Sequence, residues 1–379
     1  MAASLTFHPL GNADSTRIDL ASGKKMLVDY ADMKNHDDPN DKRCDLPVLL
    51  KADLRTSNRD YYDVMCFTHL DDDHCCGSDG FFWLEHALKY QSNERIKIRE
   101  LWVPAAAILE DGLEDSARVV RQEARHRLKN GKGIRVFSRP EKLKRWLEAN
   151  GLSLESRAHL ITDAGQLVPD FRMYGPDRVE FFIHSPFGWR QNENEGIVDR
   201  NEDSIVFQAT FLEGQRQTRA LFISDINYDT IDQIVQTTKR HKNEVRLLWD
   251  IFKIPHHCSY KSIGPVKGDD KTDPTTHVEW LCETQGQPRH IMMSTSKPMP
   301  LKGTPEDVDD VQPPHRQAGN YYESVADMAE GEFRVTMDMP NSVSPKPTTI
   351  KISDRGAVIL SAVSVSGALG IMSTPARAG

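Results

Sequence analysis

The densest group of potential metal ligands in the chain lies in residues 69–74, which read His-Leu-Asp-Asp-Asp-His. Carboxylates packed this closely repel one another, so such an arrangement is costly unless a cation lies among them. A divalent metal ion, or two, would remove that repulsion and would also bind the imidazoles. A polar, solvated turn is the alternative interpretation, but the density of ligands favours a metal site.

Two predicted elements flank this segment and would hold it in place. Residues 60–67 have the apolar pattern of a strand, and residues 80–90 have the apolar spacing of a helix. Ligands of α/β sheets bind at loops that follow the carboxyl ends of strands. The segment 69–74 is therefore predicted to direct alternate side chains into one pocket.

A second pair of imidazoles, His256 and His257, follows a predicted strand that ends at Ile254. Neighbouring side chains point in different directions, so we expect one of the two to bind metal. We favour His256 as the ligand and expect His257 to face the substrate. In the loop that follows, Ser259 and Lys261 are candidate contacts for a phosphate group.

Two single carboxylates also end predicted strands. Asp225 follows the second strand of a hairpin predicted over residues 204–224, and Asp29 lies near the end of a strand at residues 26–30. By position alone, Asp225 is an acid at the start of the next predicted helix, and Asp29 is an ordinary strand-end cap.

Several of these segments resemble motifs of the metallo-β-lactamase superfamily. Residues 69–74 are similar to its second motif, His-x-His-x-Asp-His, with Asp71 in place of the middle histidine. The form His-x-Asp-x-Asp-His followed by a glycine is that of the ComEC-type branch, the hydrolase domain of DNA-uptake proteins and its soluble relatives. Further matches to this branch are Gly11, Asp14, Ser15 and Asp29 in the opening turn and strand, Asn201, Ser204, Ser224 and Asp225 around the hairpin, and residues 255–259, which resemble its Pro-His-His-Gly-Ser motif with Cys258 for glycine.

The resemblance implies a four-layer αββα sandwich with metal ions at the edge of the sheets. We interpret residues 1–379 as a single α/β domain of this kind. A basic helical insertion is predicted near residues 105–150, with one helix over 105–130 and another over 140–150. A C-terminal extension of strands is predicted near residues 330–379.

The resemblance also implies a centre that binds two divalent ions, Zn²⁺ or Mn²⁺. The ligands would be His69, Asp71 and Asp225 for the first ion, and Asp73, His74, Asp225 and His256 for the second. Asp29 would support the ligands through hydrogen bonds. An oxygen-rich set of ligands favours a harder cation such as Mn²⁺, with Zn²⁺ as an option.

The third-motif histidine of the superfamily has no counterpart in this chain. Asn201 occupies its place in the sequence. His184, on the preceding strand, is the alternative ligand, and its other interpretation is a core histidine. The first metal is therefore expected to rely on fewer protein ligands than the second.

The activity implied is that of a hydrolase in which a metal-activated water attacks the substrate. Asp71 or Asp73 would orient the water, and His257 or His315 would protonate the leaving group. His315 follows two prolines, where the family has a histidine beside a proline in a late loop. The favoured substrate is a phosphodiester, in DNA, RNA or a nucleotide.

Two other classes of function remain open. One is hydrolysis of a non-phosphate bond, such as an ester, lactone, thioester or amide. The other is a non-catalytic subunit of a complex that kept the fold. By analogy at family level, a protein partner from the same operon, as in a phage-defence system, is a further expectation.

Composition limits which binding partners and which cellular compartment are expected. The 379 residues carry a net charge of -8, which argues against nucleic-acid binding by the whole surface. Eleven lysine or arginine residues between 118 and 145 are a local exception, either a phosphate-binding surface or a solvated helical face. Six scattered cysteines, the absence of a signal-peptide pattern and the absence of a long apolar run predict free thiols, a cytoplasmic location and no membrane contact.

Overall fold

The computed structural model of the protein describes residues 2–193, 199–309 and 311–360. The strands in these ranges are β1 (Ser4–Phe7), β2 (Thr16–Asp19), β3 (Lys25–Val28), β4 (Tyr61–Cys66), β5 (Phe82–Trp83), β6 (Ile96–Pro104), β7 (Ile134–Phe137), β8 (Val179–Ser185), β9 (Val206–Glu213), β10 (Arg216–Phe222), β11 (Trp249–Lys253), β12 (Gly286–Ser294), β13 (Glu332–Val335), β14 (Thr348–Ser353) and β15 (Gly356–Ile359). The α-helices are α1 (Leu46–Thr56), α2 (Asp72–Cys75), α3 (Ser78–Phe81), α4 (Ala105–Leu109), α5 (Asp115–Asn130), α6 (Glu141–Ala149), α7 (Leu154–Arg157), α8 (Gly188–Glu193), α9 (Tyr228–Arg240), α10 (Thr276–Glu279), α11 (Pro305–Val308) and α12 (Arg316–Met328).

The strands form two mixed sheets. Within the described residues, the first sheet has nine strands in the order β15-β14-β1-β2-β3-β4-β6-β5, with β7 also paired to β6, and the second has six in the order β13-β12-β11-β10-β9-β8. β3, β4 and β6 run parallel to one another, as do β10, β11, β12 and β13. The loops after β3 and β4 therefore lie at one end of the first sheet, and the loops after β10 and β11 lie at one end of the second.

Alternation along the strands divides the apolar side chains between the two faces of each sheet. In β3, Met26 and Val28 pack in the core between the two sheets, whereas Leu27 packs in a separate core with helical residues. In β10, Phe222 packs between the sheets and Leu221 packs in a third core on the other face. Each sheet is thus apolar on both faces, which predicts a layer on either side.

Helices cover the outer face of each sheet. On the first sheet, Leu50 of α1 and Leu128 of α5 share a core with the strands. On the second sheet, Ile231 of α9 and Tyr322 of α12 do the same. The layers follow the order helix, sheet, sheet, helix, so the predicted α/β four-layer αββα sandwich is confirmed.

Residues 105–150, predicted as a basic helical insertion, belong to the outer layer on the first sheet. The helix expected over 105–130 is interrupted, because α4 ends at Leu109 and α5 begins at Asp115. Gly112, between the two helices, has a φ angle of 74°, which a glycine adopts without steric cost. Between α5 and α6, β7 pairs in parallel with β6, so the segment contributes a strand as well as helices.

The strands predicted near residues 330–379 join both sheets. β13 extends the second sheet beside β12, whereas β14 lies beside β1 in the first sheet and is followed by β15. Residues 361–379 of this predicted extension lie outside the described residues.

Among the helices described here, none has the length and hydrophobicity required of a transmembrane segment. All six cysteines lie in the described ranges, and none forms a disulfide.

Candidate metal centre

Of the two elements predicted to flank the ligand-rich segment 69–74, only the preceding strand is present. The segment follows β4, which ends at Cys66, and it enters the short helix α2. The longer helix expected over residues 80–90 is wrong: α3 ends at Phe81, and Phe82 and Trp83 form β5 beside β6. Aromatic residues are favoured in strands, and pairing with the neighbouring strand outweighs the helical spacing of this segment.

Three buried side chains from loops converge on a fourth, which belongs to α2. The four are Asp14, His74, Asp225 and His257, and one ligand atom of each lies within 4.8 Å of those of the others. The Nε2 atom of His74 is 3.6 Å from Oδ2 of Asp14 and 3.4 Å from Oδ1 of Asp225. Asp14 and His74 follow strands of the first sheet, whereas Asp225 and His257 follow β10 and β11 of the second. We call these four residues the buried cluster.

A second group of ligands shares His74 with the buried cluster. It contains His69, Asp73 and His74, whose ligand atoms also lie within 4.8 Å of one another. Asp73 connects the two groups, because its Oδ2 atom is 3.0 Å from Nε2 of His257. The predicted ligands His69, Asp73, His74 and Asp225 are therefore neighbours in the structure.

The polar atoms of the buried cluster fit a metal ion. Oδ1 of Asp14, Oδ1 of Asp225 and the Nε2 atoms of His69 and His74 are buried and have no hydrogen-bond partner among the described residues. Burying such atoms without a partner is costly. Carboxylate oxygens and imidazole nitrogens are ligands of divalent metals, so one or two divalent cations bound at the two groups of ligands would satisfy these atoms.

Hydrogen bonds outside the cluster fix the orientation of its two imidazoles. Nδ1 of His74 donates to Asp29 at 2.9 Å, and the same carboxylate accepts from the backbone N–H and the hydroxyl of Thr68, each at 2.7 Å. Nδ1 of His257 donates to the carbonyl of Thr295 at 2.7 Å. Each bond leaves Nε2 directed at the cluster, which is the arrangement typical of metal-binding histidines.

The charges within the cluster stabilise one another when no metal is present. Burial by itself would lower the pKa of His257, but the carboxylates of Asp225 and Asp73 raise it to about 10. Burial by itself would raise the pKa of Asp225, but the imidazoles of His257 and His74 hold it well below its ordinary value. Metal binding must therefore displace protons from these histidines.

A buried lysine completes the cluster and was missed by sequence reasoning. Lys253 is the last residue of β11, and its Nζ atom lies 2.8 Å from Oδ2 of Asp14. Burial favours the neutral amine, but Asp14 and Asp225 raise the pKa of Lys253 above its ordinary value. A lysine at the end of a strand, directly after Ile251 and Phe252, was the available signal. Asp14 was also missed as a cluster member, since its motif was assigned to an opening turn.

The arrangement reverses the preference between the two adjacent histidines. His257, which was predicted to face the substrate, belongs to the buried cluster, whereas His256 belongs to neither group of ligands. The cause is local: His256, His257 and Cys258 have φ angles of 48°, 50° and 67°. Three successive left-handed residues turn the chain so that the second imidazole, and not the first, points at Asp225.

Asp71 lies at the mouth of the site and is bound by an arginine. Its Oδ1 atom is 2.8 Å from Nη1 of Arg200, whose Nε atom is 2.7 Å from Glu110. Its other oxygen is 3.7 Å from Nε2 of His69. Asp71 belongs to neither group of ligands, so its role as a metal ligand stays a prediction. Asn201, next to Arg200, has a buried Oδ1 atom without a hydrogen-bond partner among the described residues.

The remaining predicted site residues belong to neither group of ligands. His184 donates Nε2–H to the carbonyl of Arg246 at 2.9 Å, and burial lowers its pKa to about 4, so it is a core histidine and not a neighbour of the cluster. Ser259 accepts a hydrogen bond from the N–H of Lys261, whose side chain is exposed. His315 precedes α12 and packs edge-on against Tyr260, with ring centroids 4.9 Å apart.

Much of the positive charge of residues 118–145 is used within the fold. Arg127 is buried, and its Nε atom lies 2.6 Å from Glu123. Arg121 and Arg125 donate to the carbonyls of Glu110 and Ile108 at the end of α4. These arginines stabilise the helical layer, which weakens the interpretation of the segment as a continuous phosphate-binding surface.

No protein-family model and no curated protein matches this chain. Among solved structures, it is similar to one described as "Crystal Structure of a New Diphosphatase from the PhnP Family", with 12% sequence identity, a TM-score of 0.29, and coverage of 77% of this chain and 85% of that one. Another is described as "Kinetic and Structural Characterization of the First B3 Metallo-beta-Lactamase with an Active Site Glutamic Acid", with 12% identity, a TM-score of 0.30, and coverage of 68% and 80%. The αββα architecture agrees with the predicted metallo-β-lactamase fold, and the ComEC-type branch stays a prediction.

Proposed function

We propose that this protein is a metal-dependent hydrolase that cleaves phosphodiester bonds in DNA, RNA or a nucleotide. The observation that supports this most directly is the buried cluster of Asp14, His74, Asp225 and His257. Its ligand atoms come from segments that follow strands of both sheets, and several of them have no hydrogen-bond partner among the described residues. A set of buried, preoriented imidazoles and carboxylates of this kind is typical of a metal site.

The residues divide between two adjacent positions for divalent ions, Zn²⁺ or Mn²⁺. One ion would be held by Asp73, His74, Asp225 and His257, with Asp14 beside them. A second would use His69, Asp225 and Asp71. Ions bound at such sites supply Lewis acidity, which makes water nucleophilic at neutral pH and stabilises the charge that develops on a phosphoryl group.

The protein's own groups would orient the substrate and transfer protons. Arg200 is 37% exposed at the mouth of the site, and its guanidinium could exchange Asp71 and Glu110 for a phosphate, which it binds in a bidentate manner. Asp71, once released from Arg200, would be free to bind the second ion through one oxygen and to orient the attacking water through the other. His257 is held through both ring nitrogens, so the protonation of the leaving group falls to His315 in this proposal.

We also infer from the sequence that the substrate is a nucleic acid or a nucleotide, that a partner protein comes from the same operon, and that the protein is cytoplasmic. The exposed Lys261 and the neighbouring Ser259 are the candidate phosphate contacts nearest in sequence to the cluster. Their contribution would be to binding and not to the chemical step.

The proposal is tested by measuring metal content and turnover on the same preparations. Elemental analysis of the purified protein should give bound divalent metal, and Mn²⁺ should stimulate hydrolysis of bis-p-nitrophenyl phosphate. Both should be lost in Asp73→Ala. Asp72→Ala is the matched control, because Asp72 is an exposed carboxylate in the same helix that belongs to neither group of ligands. Bound metal with turnover of a lactone or thioester, but not of the phosphodiester, would favour the other hydrolase class. Absence of metal would overturn the proposal.

A further inference from the structure

A large cavity lies away from the metal centre, beside the edge strand of the second sheet. Its volume is about 700 Å³, and its walls are formed by the end of β8, the start of α8 and the carboxyl-terminal half of α9. Cavities of this size are typical of small-molecule sites. Among the described residues that line the cavity, His184 is the one that was predicted from the sequence to act in catalysis or metal binding.

One wall of the cavity is aromatic. Phe187 and Trp189 lie with ring centroids 5.5 Å apart and an interplanar angle of 31°. The Trp189 side chain is 45% exposed, although a tryptophan usually lies in a protein core or an interface. Phe182 and Ile234 extend the same apolar wall. An exposed indole next to a second ring is a surface on which a planar aromatic ligand can stack.

The polar groups of the cavity include a cation and a buried hydroxyl without side-chain partners among the described residues. The guanidinium of Arg240, the last residue of α9, forms no hydrogen bond or ion pair with another described residue, whereas Arg139 is neutralised by Asp163 at 2.6 Å. Ser138 is 2% exposed, and its Oγ atom has no hydrogen-bond partner among the described residues. A buried hydroxyl in this state is costly, and a polar atom of a ligand would satisfy it.

We propose that this cavity binds a nucleotide, with its base against Trp189 and Phe187 and its phosphate at Arg240. A nucleotide combines a planar aromatic ring with an anion, and the cavity offers a partner for each. Adenosine would use the aromatic wall without the arginine, and inorganic phosphate would use the arginine without the wall. Binding here is separate from hydrolysis at the metal centre and does not depend on it.

The site is nevertheless connected to the metal centre through one helix. α9 contributes Ile234 and Arg240 to the cavity, and it begins at Tyr228, three residues after Asp225 of the buried cluster. Arg190, which follows Trp189, donates hydrogen bonds to the carbonyl of Glu202 and to the hydroxyl of Thr230 in the first turn of α9. A ligand in the cavity would therefore contact elements that also surround the cluster.

The test is isothermal titration of the full-length protein with AMP, GMP, CMP and UMP in EDTA, where no metal-dependent turnover occurs. At least one nucleotide should bind, with adenosine and inorganic phosphate each at least about tenfold weaker. Trp189→Ala and Arg240→Gln should each weaken binding about tenfold, whereas Trp189→Phe should keep most of it. Arg289→Gln is the matched control, because Arg289 is 81% exposed and lies outside the cavity.

Two results would overturn this proposal. One is that no nucleotide binds the wild-type protein in EDTA. The other is that binding survives Trp189→Ala and Arg240→Gln but is lost in Asp225→Asn, which would assign the nucleotide to the metal centre. Because the titration measures binding without metal, neither result depends on whether the protein is a phosphodiesterase.

Discussion

Nε2 of His257 lies 3.3 Å from Oδ2 of Asp225. The two residues follow β11 and β10, which are adjacent and parallel, so their loops leave the same end of the second sheet. The same imidazole nitrogen is 3.0 Å from Oδ2 of Asp73, which belongs to α2, the short helix that follows β4 of the first sheet. One imidazole thus contacts carboxylates from both sheets, and this position favours His257 over His256 as a metal ligand.

Replacing each of the two adjacent histidines separately tests this assignment. His257→Ala should lose most of the bound metal, because it removes a nitrogen ligand from the buried cluster. His256→Ala, the matched control, should keep a metal content close to that of the wild type. Elemental analysis after dialysis measures both variants. Loss of metal in His256→Ala with retention in His257→Ala would restore the preference drawn from the sequence.

Asp29→Asn should weaken metal binding without removing a ligand. The carboxylate of Asp29 accepts hydrogen bonds from Thr68 and from Nδ1 of His74, so its charge makes that imidazole a better ligand. Loss of such a contact typically costs about 10- to 100-fold in metal affinity. The backbone of Asp29 has a φ angle of 58°, which asparagine tolerates, so the fold should be kept.

The measurement for Asp29→Asn is competition with a chelator of known affinity. Asp37→Asn, in an exposed loop, is the control and should bind metal as the wild type does. Unchanged affinity in Asp29→Asn would mean that the orientation of His74 is fixed by other contacts.

Arg200→Gln should affect substrate binding more than the chemical step. The guanidinium lies at the mouth of the site between Asp71 and Glu110, where it would meet the phosphate. KM for bis-p-nitrophenyl phosphate is expected to rise about tenfold, with a smaller change in kcat, since a charged hydrogen bond is worth roughly 1.5–3 kcal/mol. Arg172→Gln, at an exposed position, is the control in the same steady-state assay. An unchanged KM would remove Arg200 from the substrate site.

Stability should fall as the pH is lowered from about 6.5 to about 4. Burial lowers the pKa values of His8 and His184 to about 4, and each imidazole donates to a backbone carbonyl. In this range the unfolded chain binds a proton at each histidine and the native protein does not, so protons favour unfolding. Each imidazole lowers the free energy of unfolding by on the order of 3 kcal/mol as the pH falls from about 6.5 to about 4.

Urea denaturation of the metal-free protein at about pH 6.5 and about pH 4.5, both inside this range, measures this dependence. His8→Asn and His184→Gln keep an amide donor near the position of the imidazole nitrogen but do not titrate. Each variant should therefore lose less stability between the two pH values than the wild type does. An equal loss in wild type and variants would assign the pH dependence to other groups.

Arg127→Ala should be strongly destabilising, although residues 118–145 looked like a surface in the sequence. The substitution leaves Glu123 buried without its cation and removes hydrogen bonds to the carbonyls of Gly133 and Ile98. Breaking a buried ion pair costs about 3–5 kcal/mol. Arg118→Ala, at an exposed position of the same helix, is the control. Thermal unfolding followed by circular dichroism should give a clearly lower Tm for Arg127→Ala alone.

The sequence predicted those features of the site that depend on residues close together in the chain. The segment 69–74 follows a strand and brings His69, Asp73 and His74 together within a few residues, so the pattern by itself predicted their proximity. The apolar pattern of residues 60–67 likewise predicted the strand that precedes this segment, which is β4. Both features depend on neighbours in the chain, which a sequence displays directly.

Features that depend on distant contacts or on single backbone angles were not predictable in this way. The choice between His256 and His257 depends on three consecutive residues in the left-handed conformation. Few residue types other than glycine adopt this conformation readily. Lys253 meets Asp14 across more than two hundred residues of sequence, and Arg200 meets Asp71 across more than a hundred. The helix expected over 80–90 failed because β6 offered a pairing partner.

The buried cluster draws ligands from loops of both sheets, and this has a consequence for stability. An ion bound by His74 on one side and by Asp225 and His257 on the other would crosslink the two halves of the sandwich at one end. Because such an ion binds the native protein and not the separated sheets, its concentration would set the free energy needed to open that end. Removing the metal should therefore speed amide hydrogen exchange in β4, β10 and β11 before it affects strands at the far edges.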